Sequence, residues 1–259
     1  MRAVLRQPWA RGRRAASTLD RAEVAKFGAS VDWADPESAS GAGPLHALNP
    51  ARARYVGERC GGLRGKRVVD VGCGGGLLAG ALAAMGADVV ALDANPHAAA
   101  AAAARAARGC GCVFDVLAGA PEDLMEDGAL AAGSFDAVCA LEVLEHVADD
   151  AALVDVVARL ARPGGNVFLS TLNRTPLAGA AAVTVAEGLL GLLPVGTHDA
   201  RKFRTPGDVA LLLGAAGCRV RDAQAIHFVP APRGPGKAWV GGDARGAVNF
   251  IVHATREGE

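Results

Sequence analysis

The chain has no excess of charge of either sign, because 27 lysines and arginines balance 27 aspartates and glutamates. This balance argues against nucleic acid as a partner, since long-range capture of a polyanion needs a basic surface. The six cysteines include no CxxC pair, and Cys110 and Cys112 are too close together for a standard zinc site. We therefore expect reduced thiols, most of them small core residues. The length of 259 residues is sufficient for one α/β domain with a full core.

The amino-terminal segment lacks acidic residues before Asp20 and lacks the apolar core of a secretory signal. It contains five arginines, followed by Ser17 and Thr18. An arginine-rich, acid-free start is typical of an organelle transit peptide, whereas the alternative is an ordinary basic tail. We predict a mitochondrial transit peptide over residues 1–18, with the mature chain starting near Ser17, and a single domain over residues 19–259.

A glycine-rich loop follows the first predicted strand. Residues 68–71 are apolar except for Asp70, residues 72–76 read Gly-Cys-Gly-Gly-Gly, and Asp93 ends the next apolar run. Glycines let the backbone approach a ligand closely, and an acid at the end of the second strand can accept hydrogen bonds from ribose hydroxyls. Leu77 stands where a dinucleotide fingerprint has its third glycine, which argues against a nicotinamide-dependent oxidoreductase. The D-x-G-x-G-x-G spacing resembles motif I of the class I methyltransferases that use S-adenosylmethionine (SAM), and places Asp70 as a buried brace for the loop.

Predicted strands and helices alternate from Gly65 onward. This alternation predicts an α/β fold with a seven-stranded, mostly parallel sheet and helices on both faces. Seven strands are consistent with the Rossmann-like class I methyltransferase fold that the resemblance of the glycine loop implies. The predicted strands cover residues 67–71, 88–92, 113–117, 135–141, 166–171, 219–226 and 247–253, and the main helices cover residues 77–85, 96–108, 149–160 and 206–216. Residues 17–64 precede the sheet and are expected to form a helical lid.

An apolar insertion over residues 175–193 follows the fifth strand, with Glu187 as its only charged residue. Its length approaches that of a bilayer span, but Pro176 and three glycines make it a poor transmembrane helix. The pattern favours contact with a membrane surface or with a hydrophobic substrate. A buried pair of helices is the alternative.

Two glutamates and a histidine come directly after the fourth strand, where the ligands of a doubly wound sheet bind. In a helix, the spacing of Glu142, Glu145 and His146 would place all three side chains on one face. Two carboxylates and an imidazole would suit Mg²⁺ or Mn²⁺. The alternative is that these residues bind no metal. In that case His146 is simply a histidine near the active site, and the two glutamates are acids that favour a helix start.

Longer stretches of the chain resemble the ubiquinone biosynthesis O-methyltransferases, a family of class I SAM-dependent methyltransferases. The resemblance covers about residues 20–255 and is most specific in the Leu-Asn-Pro, Ser-Thr-Leu-Asn-Arg and Gly-Thr-His-Asp stretches. The matching stretches are residues 23–27, 44–46, 48–50, 69–76, 144–147, 170–174, 196–199, 202–203 and 248–250.

The resemblance implies roles for individual residues. Those implied to bind SAM are Arg52, at its carboxylate, together with Gly72, Gly74, Asp93 and Leu141. Those implied to bind Mg²⁺ and to act in catalysis are Glu142, Glu145 and His146.

The resemblance also implies a substrate and a location. The substrate would be a catechol with a polyprenyl tail, either a dihydroxy-polyprenylbenzoate or demethylubiquinol, with Mg²⁺ chelated by the two catechol oxygens. The implied partners are a membrane surface and a ubiquinone-biosynthesis protein complex. The implied location is peripheral, on the matrix face of the mitochondrial inner membrane. Another small-molecule SAM methyltransferase and a non-catalytic scaffold of a lipid-synthesis complex are the alternatives.

Overall fold

The computed structural model describes residues 5–6, 18–20, 23–24, 31, 33, 43–108, 113–179, 200–229 and 237–258. Its centre is one sheet with the strand order β1-β4-β3-β2-β5-β6-β9-β7-β8. The strands are β1 (Leu5–Arg6), β2 (Arg67–Val71), β3 (Asp88–Asp93), β4 (Asp115–Ala118), β5 (Phe135–Leu141), β6 (Ala161–Leu172), β7 (Cys218–Val229), β8 (Lys237–Asp243) and β9 (Asn249–Arg256).

The six strands from β1 to β6 are parallel to one another, and β9 inserts antiparallel between β6 and β7. All seven predicted strands are present, so the mostly parallel α/β sheet is confirmed. The strand number is corrected, because the two-residue β1 pairs with β4 at one edge and β8 pairs antiparallel with β7 at the other. The Pro-Gly-Gly segment within β6 is accommodated by a register shift against β5.

The helices are α1 (Gly43–Arg59), α2 (Leu77–Ala84), α3 (Pro96–Ala107), α4 (Pro121–Glu126), α5 (Asp150–Leu160), α6 (Pro176–Gly179) and α7 (Pro206–Ala215). Local sequence explains several of their ends. The Asn95 side chain caps α3, and Thr205 forms a capping box with Asp208 at the start of α7. Gly217 follows α7 with a φ of 72°, as expected for a glycine at a helix end.

The hydrophobic core covers both faces of the sheet. Val69 and Val71 of β2 belong to one buried cluster, whereas Val68 on the same strand belongs to the other. Alternate residues of a strand point to opposite faces, so a strand that is buried on both faces has the continuous apolar run seen here. The four described cysteines are all free thiols and buried, as predicted: Cys60, Cys73, Cys139 and Cys218. Cys110 and Cys112 lie outside the described residues.

Two predicted segments are described only in part. Of the predicted lid, the structure describes Thr18–Asp20, a few further residues and α1. Of the apolar insertion, residues 175–179 are described, and they include the short helix α6. Within the ranges listed above, no helix is both long enough and apolar enough to cross a membrane.

Candidate active site

The predicted site residues meet at the carboxyl ends of the parallel strands, around a cavity of about 840 Å³. The loop after β2, the end of β3, the segment after β5 and the end of β6 all contribute to its lining. The start of β9 reaches the same rim because this strand runs in the opposite direction. Of the residues predicted to bind SAM, all five line this one cavity: Arg52, Gly72, Gly74, Asp93 and Leu141.

The glycine loop is shaped by left-handed backbone conformations and by Asp70. Gly72, Gly74 and Gly76 have φ values of 70°, 53° and 74°, which side chains other than glycine rarely adopt. A Cβ at Gly72 would lie 2.6 Å from the Cγ2 atom of Val143, so the loop also needs glycine for space. The buried Asp70 carboxylate accepts a hydrogen bond from the Ala79 amide at 3.2 Å, which ties the loop to α2. Burial raises the pKa of Asp70 to about 7, and the predicted bracing role is confirmed.

Asp93 connects the glycine loop to the turn after β3. Its Oδ2 accepts a hydrogen bond from the Gly74 amide at 2.8 Å, and its Oδ1 accepts one from the Asn95 amide at 2.8 Å. Burial raises the pKa of this carboxyl group, while the two amides favour its charged form. The Asp93 side chain is therefore held in a fixed orientation at the cavity.

Trp33 lies directly over this loop. A Cβ at Gly75 would come within 2.4 Å of the Trp33 side chain, and a Cβ at Gly74 within 2.7 Å of its ring. The Trp33 carbonyl accepts a hydrogen bond from Arg105 at 2.8 Å, and Arg105 also donates to the Gly75 carbonyl at 2.8 Å. Trp33 therefore covers part of the cavity.

Glu142 is held by three polar neighbours. Its Oε1 lies 2.9 Å from Nη2 of Arg52 and accepts a hydrogen bond from the Ser170 hydroxyl at 2.5 Å. Its Oε2 accepts a hydrogen bond from the Asn249 amide at 2.9 Å. Glu142 is the one non-glycine residue with positive φ, 58°, among those described, and these contacts hold it in this unfavourable conformation.

Glu145 is almost completely buried, with 4% of its surface exposed. Its Oε2 accepts a hydrogen bond from the Thr171 hydroxyl at 2.8 Å. Burial, followed by the nearby charge of Glu142, raises the pKa of Glu145 to about 7.

His146 contacts a residue that the sequence analysis did not single out. Its Nδ1 lies 3.2 Å from Oε2 of the buried Glu23, and Nζ of Lys202 lies 3.6 Å from Oε1 of Glu23. Lys202 also donates a hydrogen bond to Asp20 at 3.0 Å. Both His146 and Glu23 line the cavity. A carboxylate beside Nδ1 can orient an imidazole ring and stabilise its protonated form.

The magnesium triad that the resemblance implies is not assembled by these side chains as the structure describes them, and magnesium binding stays a prediction. In place of a helix that aligns Glu142, Glu145 and His146, the chain has the left-handed residue Glu142 followed by a 3₁₀ turn over Leu144–His146. The three side chains consequently engage different partners, and the cation Arg52 lies beside Glu142. In the part of the chain that the structure describes, no group of three acidic, histidine or cysteine side chains could hold a metal ion.

Several residues of the site were missed by the sequence reasoning. Ser170 and Thr171 could have been found, because they are polar residues at the carboxyl end of a buried strand. Glu23 could not, since 122 intervening residues separate it from His146 and no local pattern marks the contact. Asn249 contacts Glu142 through β9, whose pairing with β6 is equally non-local.

Comparisons with known proteins agree with this geometry. The family model described as a methyltransferase domain matches residues 46–223. Two relatives are named ubiquinone biosynthesis O-methyltransferase. The one from Acinetobacter baylyi is 37% identical over 93% of this chain and 98% of its own, and the one from Pseudomonas aeruginosa is 42% identical over 83% and 90%.

Solved structures confirm the fold. The magnesium protoporphyrin IX methyltransferase from Synechocystis, solved with bound S-adenosylhomocysteine, matches with a TM-score of 0.60 at 21% identity, over 86% of this chain and 90% of the other. The same enzyme with bound SAM matches with a TM-score of 0.58 at 18% identity, over 86% and 87%. The family model and the two bacterial relatives identify the activity and the family as well as the fold. The chain is a SAM-dependent methyltransferase and belongs to the ubiquinone biosynthesis O-methyltransferase family.

Proposed function

We propose that this enzyme transfers the SAM methyl group to a hydroxyl of a catechol that carries a polyprenyl tail, within ubiquinone synthesis. The acceptors considered are a dihydroxy-polyprenylbenzoate and demethylubiquinol. The observation that carries the proposal is a single cavity lined by the glycine loop with Asp93, by the Glu23–His146 pair and by apolar side chains. Such a cavity suits an amphipathic acceptor beside SAM. The names of the relatives support the choice of acceptor class.

The residues around the glycine loop fit SAM. Gly72 and Gly74 would let the backbone approach it closely, Leu141 would line its site, and Asp93 would accept hydrogen bonds from the ribose. Arg52 would pair with the carboxylate. Its side chain is buried, and its Nε has no hydrogen-bond partner among the residues that the structure describes. A carboxylate placed there would satisfy this donor through a charge-assisted hydrogen bond.

SAM, when bound, supplies an electrophilic methyl group on a positively charged sulfur. The acceptor hydroxyl is mostly neutral at pH 7, so a base that takes its proton makes the oxygen a better nucleophile. His146 would take this role, which its contact with Glu23 supports, and Glu23 would orient the ring and stabilise its protonated form. The new oxygen–methyl bond forms as the sulfur–methyl bond breaks, and the proton remains on His146. The walls of the cavity would hold the two reactants at attack distance.

No step of this mechanism passes through a metal ion. Magnesium chelation is implied by the family resemblance, but the donor set does not fit it in the described geometry. Both Glu142 oxygens are engaged, and Arg52 lies 2.9 Å from one of them. A cation at this point would face an arginine unless that ion pair separated.

We also propose the cellular placement that the sequence predicts. The segment before Ser17 would direct the chain to the mitochondrial matrix, and residues 175–193 would touch the inner membrane, where a ubiquinone-biosynthesis complex would assemble. Thr18 supports a mature start at Ser17. It is buried, and its amide and hydroxyl donate to Oε1 of Glu122 at 2.8 and 2.9 Å. Removal of Thr18 would break these contacts.

An acceptor panel tests the proposed reaction. A prenylated dihydroxybenzoate should be methylated on oxygen. The matched compound with both hydroxyls already methylated should be inert, because it has no hydroxyl left to accept a methyl group. Transfer to a ring carbon, or an equal rate with unrelated phenols and amines, would favour another small-molecule methyltransferase. Bound SAM with no transfer to any acceptor would favour a scaffold.

A further inference from the structure

Strands β7 and β8 form a wall of the cavity that is separated from the glycine loop by three strands of the sheet. The loop follows β2, whereas β7 and β8 lie beyond β5, β6 and β9. Their contribution to the cavity lining consists of Ile226, His227, Phe228, Val229 and Trp239. The wall is therefore mostly apolar, in contrast to the glycine, aspartate and asparagine residues at the other end.

Three large apolar side chains line this cavity and are also exposed to solvent. They are Leu177 on α6, Val229 on β7 and Trp239 on β8, which are 60%, 54% and 49% exposed. They make up half of the six exposed large hydrophobic residues in the described ranges. Exposed apolar side chains that also line a cavity are those expected at an apolar mouth.

The tryptophan of this mouth is held in place. The His227 ring stacks on Trp239 with ring centres 4.8 Å apart and planes inclined by 16°. The His227 Nε2 lies 2.9 Å from the Gly241 carbonyl, to which it donates a hydrogen bond. A fixed aromatic ring offers apolar contact area at little cost in side-chain entropy.

We propose that this mouth, formed by Leu177, Val229 and Trp239, binds the first isoprene units of the acceptor's tail and selects prenylated over tail-less catechols. The inference rests on the proposed function. With the catechol beside His146 and SAM at the glycine loop, the apolar lining on β7 and β8 would receive the tail. An apolar tail that crosses these three side chains removes its own surface and theirs from water.

The test compares Trp239→Ala with two matched variants. Trp239→Phe keeps an aromatic ring, and Leu211→Ala removes an exposed apolar side chain that does not line the cavity. The measured quantity is the ratio of kcat/KM for a short-chain prenyl dihydroxybenzoate to that for dihydroxybenzoate. We expect Trp239→Ala to lower this ratio about tenfold, from lost apolar burial. The Phe variant should restore most of the ratio, Leu211→Ala should leave it unchanged, and the KM for SAM should stay constant throughout.

A binding measurement separates this proposal from the proposed function. Farnesol carries a prenyl chain and no catechol, so its binding does not depend on methyl transfer. In protein labelled with 5-fluorotryptophan, farnesol should shift the fluorine signal of Trp239, which is assigned by its loss in Trp239→Phe. If this shift occurs and no catechol is methylated, the result supports the tail site and refutes the proposed function.

Two results would overturn the tail site. The first is methylation of catechols with an unchanged prenyl preference in Trp239→Ala, which would leave the proposed function intact. The second is loss of binding to anionic phospholipid vesicles by that variant with the preference unchanged, which would make the mouth a membrane contact. The fluorine measurement uses the unmutated chain, so it tests the tail site even if Trp239→Ala fails to fold.

Discussion

Arg52 and Glu142 form an ion pair inside the cavity, with Nη2 and Oε1 2.9 Å apart and both side chains largely buried. The pair joins the residue that we expect to meet the SAM carboxylate with one that the family resemblance implies as a metal ligand. This ion pair has one consequence for SAM binding and one for metal binding. SAM must share Arg52 with Glu142, and a cation could use Glu142 only after that pair had separated.

Replacement of Arg52 by methionine should weaken SAM binding on the order of tenfold to a hundredfold, because a charge-assisted contact to the carboxylate is lost. Calorimetric titration with SAM measures the effect. Arg54→Met is the matched control, since Arg54 lies on the same helix and is exposed. The double variant Arg52→Met/Glu142→Gln removes the uncompensated carboxylate and should recover stability without recovering SAM affinity. Unchanged SAM affinity in Arg52→Met would refute the assignment.

The contact between Glu23 and His146 predicts a catalytic defect without a binding defect. Glu23→Gln should lower kcat about tenfold to a hundredfold while the affinity for SAM is retained, because the carboxylate no longer stabilises protonated His146. Steady-state kinetics and SAM titration measure the two effects separately. Asp20→Asn removes a different partner of Lys202 and should cost much less. Equal losses of kcat in Glu23→Gln and Asp20→Asn would indicate that the contacts of Lys202 with these two acids only hold this part of the chain in place.

Truncation of the amino-terminal segment should show a sharp boundary. A chain that starts at Ser17 loses the two-residue edge strand β1 but keeps Thr18 on Glu122 and the bridge between Leu19 and Val147, and should retain full activity. A chain that starts at Ala25 also loses Glu23 and should show at least the kcat defect of Glu23→Gln. Activity of the two truncated proteins under identical conditions makes the comparison. Full activity of the shorter chain would remove Glu23 from the mechanism.

Much of the fold could be predicted from the sequence, because its signals are local. The apolar runs of β2 and β5 predicted both strands to the residue, and Pro206 with Gly217 bracketed α7. Strand β8 was missed because two glycines and few large apolar residues weaken its pattern. The sequence could not decide whether Glu142 is helical, because contacts to Ser170 and Asn249, far along the chain, hold this residue in a left-handed conformation.

Asp70 predicts a specific dependence of stability on pH. Burial raises its pKa from 3.8 to about 7, so the folded state retains a proton that the unfolded chain releases between these values. Stability should therefore fall as pH rises through this window. Asp70→Asn keeps an acceptor for the Ala79 amide but cannot ionise. The free energy of unfolding of Asp70→Asn, relative to that of the parent protein, should therefore rise on the order of 2 to 4 kcal/mol as the pH is raised from about 4 to about 8.

Urea unfolding of both proteins at the two pH values measures this difference. Asp127→Asn, at an exposed position, is the control and should follow the parent protein. A parallel pH dependence in the parent protein and Asp70→Asn would show that Asp70 is ionised in the folded state throughout, contrary to the argument from burial.

The most direct test of the central claim is transfer of a labelled methyl group from SAM to a short-chain prenyl dihydroxybenzoate, by the chain started at Ser17 and in the presence of a metal chelator. The account predicts a product labelled on a phenolic oxygen, at a rate that the chelator does not change. Absence of product from every catechol while SAM remains bound would contradict the proposed reaction. Product that the chelator abolishes and Mg²⁺ restores would contradict the metal-independent role of His146.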